Sequence, residues 1–135
     1  MKRNNSTKHT NHLAQAKLAV VDKRKIIEYL LSFNHPSGRD KAVFFHSLGF
    51  RLQAWQVLSA ALVRHAKENT IWDKKKSSFG VKYVIDGPLQ TPDGRNPSVR
   101  AIWFVETGEK QPRFVTAYPL KGGSHDTRTR PGSSN

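Results

Sequence analysis

His35, Arg39 and Lys41 fall close together in the segment His-Pro-Ser-Gly-Arg-Asp-Lys. Far along the chain, Arg113, Thr116 and Tyr118 fall in Arg-Phe-Val-Thr-Ala-Tyr-Pro, and Lys82 lies between the two segments in Gly-Val-Lys-Tyr. An imidazole, a phenol, a hydroxyl and several cations form a set suited to phosphodiesters. In metal-independent cleavage of an RNA backbone, a base takes the 2′-OH proton and an acid protonates the leaving oxygen. Cations meanwhile stabilise the charged phosphorane between them. His35 or Tyr118 would move protons, and Lys41 and Lys82 would stabilise charge. Arg39 or Arg113 would assist, and Thr116 would orient the phosphate.

Each signal also has a plainer reading. Ser37 and Gly38 stand just before a helix, where free N–H groups and the helix dipole favour a phosphate. Ser37 could equally cap that helix and leave Arg39 and Lys41 solvated. Threonine and tyrosine are ordinary strand residues. His46 and His65 read as surface histidines, and His9, His12 and His125 fall in the terminal stretches. The chain has 10 acidic residues against 23 Lys and Arg, and the acids are scattered. A carboxylate-bound metal site is therefore not expected. The histidine spacings fit no zinc motif, and the absence of cysteine removes disulfides and Cys-based zinc. No metal and no cofactor is expected.

The elements that must position these residues can be read from periodicity. Asp22 is a candidate N-cap for a helix Lys23 to Ser32, with Ile26, Ile27, Leu30 and Leu31 on one face. Asn34 to Gly38 breaks it. A second helix, Arg39 to Leu48, would turn Val43, Phe44 and Leu48 inward and end at Gly49. A third, Leu52 to Lys67, carries Trp55, Leu58 and Leu62. Residues 73–78, with Lys74, Lys75 and Lys76, read as a basic loop.

From Gly80 the period becomes two, as in a strand. Thr91-Pro92-Asp93-Gly94 is a turn. Val99 to Val105 is a strand apolar on both faces, Thr107 to Lys110 turns the chain, and Arg113 to Tyr118 is a further strand. Short turns imply antiparallel pairing. The expected architecture is α+β: about three N-terminal helices, then a small antiparallel sheet of three strands, or four if one forms near Ile71. If register allows, Lys82, Arg100, Thr116 and Tyr118 share an open face while the helices cover the other. Trp55 and Trp103 read as core, and Trp72 as packed or base-stacking.

The net charge is +13 over 135 residues. Four of these charges lie in residues 1–20 and a net two in 121–135, which leaves +7 for residues 21–120. Both ends are polar and read as flexible basic tails around a single domain, 21–120. An excess of this size attracts polyanions, nucleic acid first, then an acidic protein or an anionic membrane. No apolar run is long enough to span a bilayer, and Leu18 to Val21 is too short for a signal peptide's apolar region.

Three segments, KIIEYLLSFNHPSGRDKAVFFHSLGF, GVKYVIDGPLQTPDGR and AIWFVETGEKQPRFVTAYPL, carry a resemblance across about residues 21–120. They resemble an uncharacterised bacterial toxin-like domain family, found alone and at the C-termini of larger proteins. In its helices, antiparallel sheet and closing Thr-x-Tyr-Pro strand, it is similar to the barnase–EndoU–colicin–RelE class of ribonuclease toxins. The resemblance implies an endoribonuclease toxin cleaving tRNA, mRNA or rRNA, with cytoplasmic action and, as one option, delivery by secretion as part of a larger protein. It also implies an acidic immunity or antitoxin protein as partner. By the same resemblance His35, Arg39, Lys41, Lys82, Arg113, Thr116 and Tyr118 are the site, although the His-His-Lys set of an EndoU-like site is missing. The alternative is a non-catalytic nucleic-acid-binding module.

Overall fold

The computed structural model describes residues 12–36 and 38–120. Helix α1 opens at Lys23–Lys25 and passes directly into a π-helical turn, Ile26–Leu30. Helix α2 is Arg39–Ser47, and α3 is Trp55–Glu68, entered through a 3₁₀ turn at Leu52–Ala54. Four strands follow: β1 Ile71–Lys76, β2 Gly80–Pro88, β3 Ser98–Glu106 and β4 Arg113–Pro119. Each pairs antiparallel with the next, in the order β1-β2-β3-β4. The fold is α+β, with the helices leading into an antiparallel meander, as the sequence predicts.

Asp22 caps α1 through its carboxylate, which accepts from the Arg24 backbone N–H at 2.9 Å. The π turn is closed by the Leu31 N–H donating to the Ile26 carbonyl at 2.8 Å. Such turns insert an extra residue and re-aim the side chains beside it. Tyr29 lies in this turn.

The core forms where the helices meet one face of the sheet. Ile26, Leu30, Phe45, Leu58 and Leu62 from the helices are fully buried with Ile85, Val99, Ala101, Trp103 and Ala117 from the strands. Ala101 and Ala117 are cross-strand partners, so two small side chains let the helices approach β3 and β4. Trp103 meets the edge of Phe114 at 5.5 Å between ring centres.

Several sequence readings need correction. In α2 the inward residues are Ala42 and Phe45, while Val43 is 53% exposed and Phe44 half-buried. The stretch Asp73–Lys76 is not a loop but most of strand β1. It has no apolar alternation; backbone pairing to β2 holds it, and its lysines suit an edge strand.

His65 is buried rather than a surface histidine, 1% exposed. Its Nε2 lies 3.1 Å from the Gly87 carbonyl and 3.0 Å from that of Val99, so Nε2–H donates to both. Nδ1 is buried without a partner. Burial lowers the His65 pKa, although the two carbonyls and nearby carboxylates favour the charged form.

Ordered structure is also present ahead of Val21. Leu13 is 4% exposed in the core, Ala16–Leu18 form a 3₁₀ turn, and Val20 bridges to Arg113. Residues 1–11 and 121–135, read as tails, lie outside the described residues, as does Ser37. Among the described residues, no helix is long and apolar enough to cross a membrane.

Candidate functional site

The face of the sheet opposite the core carries three cross-strand rows. Lys82, Phe104 and Arg113 form one, Val84, Ile102 and Thr116 the next, and Asp86, Arg100 and Tyr118 the third. A β-bulge makes this arrangement. Ile102 pairs with Thr116 but Trp103 with Phe114, so Val115 is an extra residue in β4. Simple alternation would put Arg113 and Thr116 on opposite faces; the bulge brings them to the same one.

A cluster forms where α1, the start of α2 and β4 converge. The Lys41 ammonium lies 5.5 Å from the centre of the Tyr29 ring and 5.9 Å from that of Tyr118, within cation–π range of both. The Tyr29 hydroxyl is 3.4 Å from the Thr116 hydroxyl. His35 meets Tyr29 edge-on, with ring centres 4.9 Å apart. Gly38 makes the close approach possible: a Cβ there would lie 2.8 Å from the Tyr29 carbonyl oxygen and 2.9 Å from its Cδ1. A cleft of about 620 Å³ opens beside the cluster, lined in part by Lys25, Tyr29, His35 and Thr116.

Electrostatics concentrate on Tyr29. Burial alone would raise its phenol pKa. The Thr116 hydroxyl, a hydrogen bond and the positive charge of Lys41, and the charge of Lys25 outweigh burial and lower it. On the third row, Arg100 pairs with Asp86 through two bonds, Nε to Oδ1 at 2.8 Å and Nη2 to Oδ2 at 2.7 Å. Each side chain is 19% exposed. The Asp86 hydrogen bonds, set against partial burial, raise the Arg100 pKa. The guanidinium also lies 5.8 Å from the centre of the Trp72 ring.

The residues selected from sequence therefore divide. His35, Lys41, Thr116 and Tyr118 come together. Arg39 is exposed at the first position of α2, about 200° around the helix from Lys41. Lys82 and Arg113 share the open face but lie in the first row. Lys82 is four residues from Asp86 on β2, so that row is about 13 Å from the Tyr118 row. Sequence reasoning misses Tyr29, because its ring sits on the flank of an apolar helix and only the π turn aims it at β4. It places Arg100 on the open face, but not in a pair with Asp86. No three His, Cys, Asp or Glu side chains come together as a metal site among the described residues.

The fold is similar to a chain of the contact-dependent growth inhibition toxin–immunity protein complex from Klebsiella pneumoniae 342, with a TM-score of 0.60 and 18% identity. The match covers 75% of this chain and 99% of that one. No curated protein matches the sequence. A family described as "Domain of unknown function (DUF6883)" matches residues 12–121, which takes in every element and side chain of the cluster. The chain accordingly belongs to the DUF6883 family.

Proposed function

We propose that this domain is a toxin that cleaves RNA without a metal ion, at the cluster around Lys41. The observation that carries the reading is one ammonium held between two phenol rings, with a hydroxyl and an imidazole beside them and an open cleft alongside. The fold likeness to a chain of a toxin–immunity complex supports the toxin class. The net charge of +13 suits the half of such a pair that binds a polyanion. It would also steer an acidic immunity protein onto this domain.

The chemistry follows from the placement. The Tyr29 phenolate, favoured by the downward shift of its pKa, accepts the proton of a ribose 2′-OH and becomes the phenol. The 2′-oxygen attacks phosphorus, and the P–O5′ bond breaks. His35, protonated, returns a proton to the departing 5′-oxygen. The products are a 2′,3′-cyclic phosphate and a 5′-hydroxyl. Lys41 faces the negative charge that builds on the phosphorane. Thr116 donates its one hydroxyl proton to the Tyr29 oxygen and so orients the base, and Tyr118 walls the site beside Arg100, which Asp86 holds in place.

The test is incubation of the pure protein with total bacterial RNA in EDTA, resolved on a denaturing gel beside Lys41→Ala. Discrete fragments ending in cyclic phosphate, absent with the variant, are expected. Intact RNA at enzyme excess, with a salt-sensitive gel shift, would overturn catalysis in favour of a binding module.

A further inference from the structure

The first row of the open face extends across the whole sheet. Lys75 of β1 is the direct partner of Lys82, Lys82 of Phe104, and Phe104 of Arg113. Three cations and one aromatic thus lie in line across four strands. Adjacent strands are about 4.8 Å apart, so the line is about 14 Å long. Lys75, Lys82 and Arg113 are exposed, and none is in a salt bridge among the described residues. Like charges directly opposite on a sheet repel, and folding gains nothing from the Lys75–Lys82 pair.

Phe104 is half-buried between its two cationic neighbours. Its ring lies down over Gly80, where a Cβ would come 2.7 Å from the ring tip. A half-exposed aromatic between cations suits a nucleobase on the ring with phosphates on either side. The acids on this face near the row, Asp73 and Glu106, are exposed. We infer that Lys75, Lys82, Phe104 and Arg113 form a subsite for single-stranded RNA, one base stacking on Phe104 while the cations hold the backbone.

This inference rests on the proposed ribonuclease reading and adds the form of its substrate. The row lies on the same face as the Lys41 cluster, separated from Tyr118 by the Val84–Ile102–Thr116 row. A strand bound across it runs on toward the cleft, which favours unpaired RNA over a duplex, whose bases are not free to stack. Lys82 and Arg113 thereby become binding residues rather than catalytic ones.

The test uses a fluorescent, fully 2′-O-methylated RNA oligonucleotide, which lacks the attacking hydroxyl. Anisotropy is measured over a salt series with the full chain. Phe104→Leu is expected to weaken binding about 5- to 160-fold, the range for losing one stacked base, and Phe104→Tyr to retain it. The Lys75→Ala/Lys82→Ala/Arg113→Ala variant should reduce the slope of log K against log salt by about 2, near 0.7 for each phosphate no longer neutralised. Lys67→Ala, an exposed cation on α3, controls for charge alone. Poly-glutamate serves as the probe for an acidic protein and should not distinguish Phe104→Leu from the parent.

Parent-like affinity and slope in the row variants would overturn the inference, as would equal weakening of RNA and poly-glutamate by Phe104→Leu. Because the oligonucleotide cannot be cut, failure of catalysis and failure of this subsite give different results. Loss of binding in the row variants, with no cleavage of natural RNA by the parent, keeps the subsite and removes the ribonuclease reading.

Discussion

Replacing Tyr29 by Phe removes one oxygen and leaves the ring that Lys41 faces at 5.5 Å. The hydroxyl's approach to Thr116 is long, 3.4 Å, and only part-buried. The stability cost therefore falls at the low end of hydrogen-bond deletions, about 0.5 kcal/mol. If the phenol takes the 2′-OH proton, the cleavage rate should fall by about 10²- to 10⁴-fold, the range for losing a positioned base. The two effects differ enough to be separated.

The assay is single-turnover cleavage of an end-labelled RNA in EDTA, from pH 6 to pH 10, with thermal melts of both proteins. The parent profile should be bell-shaped, since cleavage needs Tyr29 deprotonated and His35 protonated, and the limb that reports Tyr29 should lie below the ordinary tyrosine pKa, because Tyr29 is shifted down. The Phe variant should lose that limb. Lys41→Met removes a charge that lowers the Tyr29 pKa, so the limb should move to more alkaline pH. A Phe variant within about threefold of the parent, or one that keeps the limb, would refute Tyr29 as base, since a removed base costs at least ~10²-fold.

Other perturbations probe the scaffold. The His65 pKa is lowered by burial, so the unfolded chain binds a proton that the folded chain refuses. Stability should then fall as pH drops below about 6.5. His65→Gln should flatten that part of the profile, and coincident urea midpoints across pH 5 to 7.5 would contradict it. Gly38→Ala sets a methyl against the Tyr29 backbone and ring and should cost about 1–3 kcal/mol as an overpacking change. Cleavage should fall with it; an unchanged melt would show that the neighbouring atoms yield freely. Asp86→Ala strands the Arg100 guanidinium at 19% exposure and should cost about 1–3 kcal/mol. A double-mutant cycle with Arg100→Ala should recover part of this, and strict additivity would deny the coupling.

The legible part of the fold is written in short-range pattern. Asp22 capping, the alternation from Gly80 and the turn residues at Thr91–Gly94 each act within a few residues, and each points to the right element. Strand β1 is only half legible, because Asp73–Lys76 has no apolar side to alternate and depends on pairing with β2 for its form. Val43 reads as inward and is exposed, because the apolar run Val43, Phe44, Phe45 offers two phases and only the packing of Phe45 selects one.

For the site, sequence alone determined which residue types were at hand. It supplied the cations, phenols and imidazole, the shortage of carboxylates, and the shared face of Thr116 and Tyr118. Tertiary structure decided which of them meet. The π turn aims Tyr29 at Thr116, and a glycine at position 38 lets the loop close on Tyr29. The bulge at Val115 turns Arg113 to the open face, about 13 Å from the Tyr118 row along the strands. The π turn and the bulge are each a one-residue offset in register or phase. Such an offset changes which side chains face each other while barely changing the local pattern from which the elements are read.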